Sequence, residues 1–165
     1  MHGQLAREFA ATALGLQDSP EVKEIFETVV QLAAISMNCG HVGLVLCEDA
    51  AHLAPVQASD AAVDEADRLQ IELKQGPCWS CLHRTLATGT VIVDDAATDN
   101  RWPAWEPHLA ALGLRSAYSA RLDTTETTIG FLTLYDDVPH RFTNETAAIA
   151  HTLALDTAAA LTTIH

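Results

Sequence analysis

Two long stretches of this chain carry apolar residues at helical spacing, and the segments between them switch to short strand-like runs. Near the start, Val22, Ile25, Phe26, Val29, Leu32, Ala33 and Ser36 share one helical face, apolar except at its last position. Ser19-Pro20-Glu21 reads as the entry to that helix: Ser at the N-cap, Pro at the first position, an acid in the first turn. Asn38-Cys39-Gly40 reads as its exit, with Gly40 expected to supply the left-handed cap. Towards the other end, Phe142-Thr143-Asn144-Glu145 opens a second long helix. Its stripe is Ile149, Ala150, Leu153, Ala154, Ala160, Leu161 and Ile164, interrupted by Thr157. Residues Met1–Asp18 form a leading arm in which Leu5, Phe9, Ala13 and Leu16 recur at helical spacing.

Between the two helices the pattern changes. His41–Cys47 reads as a buried strand and Leu53–Ala58 as its partner after a turn. Asp60–Glu72 is acidic and Ala-rich with Ala62, Ala66 and Leu69 at helical spacing, which predicts an exposed helix. Gly76-Pro77 turns the chain into a helix from Cys78 to about Ala87, stopped by Thr88-Gly89. Val91–Val93 is a short strand and Pro103–Leu112 a short helix ended by Gly113. Ser116–Leu122 and Ile129–Tyr135, around the polar turn Asp123–Thr128, form the clearest hairpin. Each long helix must bury its stripe, so both are expected side by side on one face of an antiparallel sheet. The short helices and loops then cover a pocket on the other face. The expected fold class is α+β, an α/β sandwich with a central antiparallel sheet of five to six strands.

A chain of 165 residues that is 48% hydrophobic is expected to fold as one domain with a real core. No apolar run reaches the ~20 residues of a membrane span, and no signal-peptide pattern opens the chain, so the expected location is the cytoplasm. A net charge of −13 with only nine Lys and Arg opposes binding to a nucleic-acid backbone or an anionic membrane.

The densest chemistry lies in Gln75-Gly76-Pro77-Cys78-Trp79-Ser80-Cys81. Cysteines three apart share a helical face and can come within disulfide range, and a helix N-terminus favours a thiolate. Cys78 and Cys81 are therefore redox-switch candidates, weighed against plain packing and against half of a metal site with His83. A second close ligand pair is lacking, so no metal site is assigned. Cys39 and Cys47 read as inert buried residues. The tryptophans Trp79, Trp102 and Trp105 all fall in the segments expected around the pocket, and Tyr118, Phe131 and Tyr135 come from the hairpin. Alternation puts Phe131 and Tyr135 on one strand face. The candidate pocket is thus Cys78, Trp79, Cys81, Arg101, Trp102, Trp105, Tyr118 and Phe131, suited to a flat apolar ligand, with Arg101, Arg121 and His108 as possible anchors. Anchoring of the short helix by Trp102 and Trp105 is the competing reading. Asp94-Asp95 and Asp99 with Arg101 read as loop caps and ion pairs, Asp136-Asp137 as a turn. No Ser/His/Asp or paired-carboxylate arrangement is evident, so no hydrolase is predicted.

Over residues 19–163 the element order resembles a GAF domain, as do the strand HVGLVL, the QGPCWSC turn, VIVDD, DNRWPAW, LRSA entering the fourth strand, and IGFLTLYDD before Phe142-Thr143. The leading arm REFAATALGLQDSPEV, GPC-x-x-C and RWP together resemble the GAF halves of actinobacterial GAF–ANTAR antitermination regulators. The resemblance implies an arm over residues 1–18 and a GAF domain over 19–165. An ANTAR domain would begin where this chain stops, at His165, and the acidity accords with the absence of that RNA-binding part.

The resemblance implies a non-enzymatic sensor of a small molecule or of redox state, signalling to transcription regulation, with ligand and cofactor unspecified. It is expected to form a homodimer through the Ser19–Cys39 and Asn144–Ile164 helices. Two alternatives stand beside it: a cysteine-dependent enzyme like the GAF-type free methionine sulfoxide reductases, and a ligand-free dimerisation module.

Overall fold

The computed structural model describes residues 19–49, 52–82, 90–123 and 128–162. Helix α1 spans Pro20–Met37, followed by strands β1 (His41–Asp49) and β2 (His52–Ala58). Helices α2 (Ala61–Leu73) and α3 (Pro77–Leu82) precede strand β3 (Thr90–Val93) and helix α4 (Glu106–Ala111). The hairpin β4 (Ser116–Asp123) and β5 (Thr128–Asp136) leads to helix α5 (Asn144–Leu161). The strands form one antiparallel sheet in the order β2-β1-β5-β4-β3. The expected α+β sandwich, with both long helices on one sheet face, is therefore the fold of the described residues.

Alternation along the strands assigns each residue to one of two cores. Val42, Leu44 and Leu46 of β1, Tyr118, Ala120 and Leu122 of β4 and Leu132 and Leu134 of β5 face α1 and α5. There they meet Val22, Phe26, Val30 and Ala33 from α1 and Ala150, Ala154 and Leu161 from α5. Val45, Cys47, Val93, Ala117, Phe131 and Tyr135 face the short helices, where Val63, Ala66, Cys78, Cys81, Trp102, Trp105 and Leu109 complete a second core.

The helix boundaries show where local signals compete. Pro20 occupies the first turn of α1 as expected, but Ser19 makes no cap bond and its hydroxyl donates to the Glu21 carboxylate at 3.1 Å. The left-handed cap at the far end is Asn38, with φ 48°, and not Gly40. Asn tolerates that conformation, and placing it at Asn38 lets Cys39 turn inward, where its thiol donates to the Tyr135 carbonyl at 3.2 Å. Cys39 and Cys47 are both buried. Thr143 caps α5 in a capping box with Thr146. The α5 stripe is shifted from expectation: Ala150, Ala154, Thr157, Ala158 and Leu161 are buried, while Ile149 and Ala160 are exposed. Of the α3 expectation, Pro77–Leu82 is helical; its remainder, and His83, lie outside the described residues, as do the leading arm and Ile164.

The largest departure is α2. Read as an exposed acidic helix, it instead buries Val63, Ala66, Asp67 and Gln70 against the sheet. Asp60 caps it by accepting from the Val63 N–H at 3.0 Å and pairs with His41 Nδ1 at 2.7 Å. Burial pushes the Asp60 carboxyl up, but those hydrogen bonds outweigh it and hold the group below its ordinary value.

Candidate functional site

The layer between α2, α3, α4 and the sheet holds a sealed chain of polar groups. Asp67, at 1% exposure, is its centre. Tyr135 Oη donates to Asp67 Oδ1 at 2.6 Å, and Thr133 Oγ1 donates to Oδ2 at 2.9 Å. Gln70 Nε2 donates to Tyr135 Oη at 3.1 Å, and the Cys78 N–H donates to Gln70 Oε1 at 2.9 Å. Cys78 Sγ lies 3.5 Å from Ser119 Oγ. The donors around the centre point at Asp67, an arrangement suited to a carboxylate. Burial opposes ionisation, and with no cation among the described groups acting on it the carboxyl is pushed up to about 7. Burial and then the Asp67 charge drive the Tyr135 hydroxyl well above its ordinary value.

Two glycines make this packing possible. Gly43 pairs with Thr133 in the β1–β5 ladder, and a methyl on it would overlap Asp67 Oδ2, Thr133 Oγ1 and Val63. Gly76 turns the chain between α2 and α3 at φ 118°, where a side chain would collide with Gln70.

The segment from Asp99 to Glu106 forms the outer wall. Trp105 Nε1 donates to the Ala66 carbonyl at 3.0 Å, and the ring lies 6.5 Å from that of Tyr135. Trp102 Nε1 donates to Ser80 Oγ at 2.8 Å and packs edge-on to Trp105 at 6.2 Å. Gln75 Oε1 accepts from the Ala104 N–H at 2.7 Å and the Trp105 N–H at 3.3 Å, tying the segment to the α2–α3 turn. Arg101 stacks over the Trp102 ring at 4.6 Å, pairs with Asp99 at 2.7 Å, and donates to the Ile92 carbonyl at 2.6 Å. Asp95 holds Arg115 at 2.7 Å, and Asp136 caps the Val138 N–H at 2.9 Å.

Of the eight pocket candidates, Cys78, Cys81, Trp102, Trp105 and Phe131 meet in this buried layer, with Trp79 packed against it. Arg101 lies on its rim. Tyr118 does not join them. It is one register position out of phase, faces α1 and α5, and packs against Phe142 at 6.1 Å. Phe131 and Tyr135 do share a face, with Thr133 between them. Arg121 pairs with Asp123 at 2.9 Å.

Cys78 and Cys81 are both buried thiols outside any disulfide, as the packing reading of the pair has them. Burial raises both thiols, Cys78 well above its ordinary value with the Asp67 charge adding to it. The six-residue α3 offers too little dipole to compensate. Among the described residues no three His, Cys, Asp or Glu side chains are placed to hold a metal ion, and no helix is long and apolar enough to cross a membrane.

Sequence reasoning missed Asp67, Gln70, Ser119, Gln75 and Glu106. One signal was present: Val63, Ala66, Asp67 and Gln70 follow the i, i+3, i+4, i+7 spacing of a core-facing stripe, with two polar members.

A five-stranded antiparallel sheet, with paired long helices on one face and short helices sealing a second core on the other, defines an α+β sandwich. The family model for the GAF domain matches residues 21–161, and the chain belongs to that family. A domain of a two-component sensor histidine kinase from Sinorhizobium meliloti, described as putative in its source, superposes with a TM-score of 0.65 at 18% identity, covering 82% of this chain and 87% of that one. GAF3 of Slr1393 from Synechocystis, in its photoproduct state, gives 0.63 at 15% identity, over 82% and 90%. A type II free methionine-R-sulfoxide reductase from Thermoplasma acidophilum gives 0.60 at 16% identity, over 83% and 94%. At these identities the likeness is one of fold. No curated protein matches the sequence significantly.

Proposed function

We propose that this GAF domain is a non-enzymatic sensory module that works as a homodimer through α1 and α5. The observation that carries the reading is an apolar seam on the outer side of both helices. Leu32 and Ile35 of α1 are 55% and 77% exposed, and Ile149 and Leu155 of α5 are 54% and 53% exposed. Ile25, Thr28, Leu32 and Ile35 repeat at the three-and-four spacing of a coiled-coil seam, as do Ala148, Thr152, Leu155 and Ala159. Both helices pack on the same sheet face, so their outward sides lie together. A second copy would bury both rows at once, and the small residues of α5 permit close approach. Light scattering on the wild type is expected to show a dimer, and L32E together with I35E a folded monomer. A wild type that stays monomeric at high concentration would sink the dimer.

A small-molecule input is favoured over a redox one, because burial keeps the Cys78 and Cys81 thiols protonated and poor as nucleophiles. The same chemistry weighs against a thiol-dependent reductase. Native mass spectrometry with and without reductant reads the input directly. Added mass on the dimer supports a ligand, and a reductant-sensitive loss of two hydrogens would restore the redox reading. An output to transcription rests only on the resemblance carried by the arm REFAATALGLQDSPEV, GPC-x-x-C and RWP.

A further inference from the structure

We propose that Glu106 is a proton-operated latch: protonated, it holds the Asp99–Glu106 segment shut, and on losing its proton it releases that segment together with Trp102 and Trp105. The inference goes beyond the sensory reading and stands whether or not the domain binds a small molecule.

The geometry is that of two carboxyls and one cation, Arg101, whose bonds go to Asp99. Asp99 is fully engaged by Arg101, accepting from its backbone N–H at 2.9 Å, from Nε at 3.1 Å and from Nη2 at 2.7 Å. Glu106, 1% exposed at the start of α4, accepts the Trp102 N–H on Oε1 at 2.8 Å. Its other oxygen, Oε2, is buried, and among the described residues no N–H or O–H donates to it. The Asp99 carboxylate is also near enough for its charge to raise the Glu106 carboxyl. Two neighbouring carboxyls with one guanidinium are not both readily ionised, so the proton stays on the one the guanidinium does not bond. Asp99 has the guanidinium and stays ionised, held below its ordinary value despite burial. The proton therefore belongs on Glu106, where it leaves the buried Oε2 uncharged.

The groups acting on Glu106 agree with that assignment. Burial is the largest, the Trp102 N–H opposes it, the nearby Asp99 carboxylate adds to it, and Arg101 opposes it; the carboxyl ends at about 7. The side chains that reach the segment from the α2–α3 side, Gln75 and Ser80, are neutral and cannot absorb a new charge. Ionised Glu106 would be a second anion beside Asp99 with one oxygen lacking any donor. Admitting water is the way to solvate it, and that means lifting the segment off Ser80, Gln75 and Ala66. The anchors so broken are those that seal the aromatic layer over Asp67, which makes the layer's accessibility pH-dependent near neutrality.

The test is acrylamide quenching of tryptophan fluorescence on the intact protein from about pH 5.5 to 8.5. In the wild type quenching is expected to rise with pH about a midpoint near 7. E106Q is uncharged while keeping the acceptor for Trp102, and is expected to quench weakly at every pH. D67N, which neutralises the other raised carboxyl, is expected to keep the transition. A wild type without a transition, or an E106Q that retains it, overturns the proposal. Carbon-detected NMR titration of the Glu106 carboxyl in the wild type needs no variant: a midpoint near 7 supports the latch, and an ordinary 4.5 refutes it.

Discussion

The two faces of the sheet are made by alternate residues of the same strands, yet they bury different chemistry. Towards α1 and α5 the core is almost wholly apolar: Val42, Leu44, Leu46, Leu132 and Leu134 interlock with Phe26, Val30 and Ala33. Tyr118 brings a phenol oxygen into that layer, beside Thr90 at the sheet edge. Towards the short helices the same strands present Thr133, Tyr135 and Ser119 to Asp67, Gln70 and Cys78. A layer of pure packing has one state over a wide pH range. A layer held by hydrogen bonds to a buried acid has a stability set by a proton, because the bonds suit the ion and the burial suits the acid. The domain thus sets an insensitive core against one tuned to its surroundings.

Neighbouring residues on β1 break the comparison most directly. Leu44→Ala removes a fully buried side chain from the apolar side and is expected to cost about 2–5 kcal/mol, equally at every pH, by chemical denaturation. Gly43→Ala adds a methyl on the polar side against Asp67 and Thr133, and is expected to cost about 1–3 kcal/mol with a changed pH profile. Tyr135→Phe leaves Asp67 one donor short and Gln70 Nε2 without its acceptor, a loss of about 1–3 kcal/mol that shrinks as pH falls and Asp67 takes up a proton.

The pH dependence itself sharpens the contrast. Asp67 and Glu106 have ordinary values of 3.8 and 4.5 and folded values of about 7, so between those limits the folded protein holds more protons than the unfolded chain. Their contribution is complete below the ordinary values and is lost as pH rises through 7. Asp95, paired with Arg115 and held at about 2, works the other way, its contribution being lost as pH falls below 3.8. The melting temperature should therefore climb on going from about pH 8 to about pH 5 and drop in stronger acid. D67N should flatten the first limb, and a wild-type profile flat from 5 to 8 would contradict the raised carboxyls. At the small end, Arg68→Ala removes an exposed pair with Asp64 on the outer face of α2 and should cost no more than about 0.5 kcal/mol in thermal denaturation.

Much of the architecture was legible because it is written in local periodicity. The strands His41–Asp49, Thr90–Val93, Ser116–Asp123 and Thr128–Asp136 and the long helices lie within a residue or two of where alternation and 3.6-residue spacing put them. The tryptophan-bearing wall and the pairing of Phe131 with Tyr135 followed from the same rules. Tyr118 was misplaced because which face an odd or even residue takes depends on the neighbouring strand's register, which a single strand does not encode. The depth of the Cys78 and Cys81 thiols was not legible, because a helix start says nothing of what lies above it.

By itself, then, the sequence determined the elements, their order, the fold class and the amphipathic end-helices, all of which follow from spacings of a few residues. Tertiary structure decided which acids matter. Asp64, Glu65, Asp67 and Glu72 stand close together on one acidic helix, and nothing local distinguishes them. Only the β1–β5 register, which sets Gly43 opposite Thr133, opens the space into which Asp67 turns. Only the fold of the Asp99–Glu106 segment buries Glu106 near an Asp99 that already holds the arginine. A carboxyl's affinity for its proton is set by the solvent it loses and the partners it meets, and both come from residues far away in the chain.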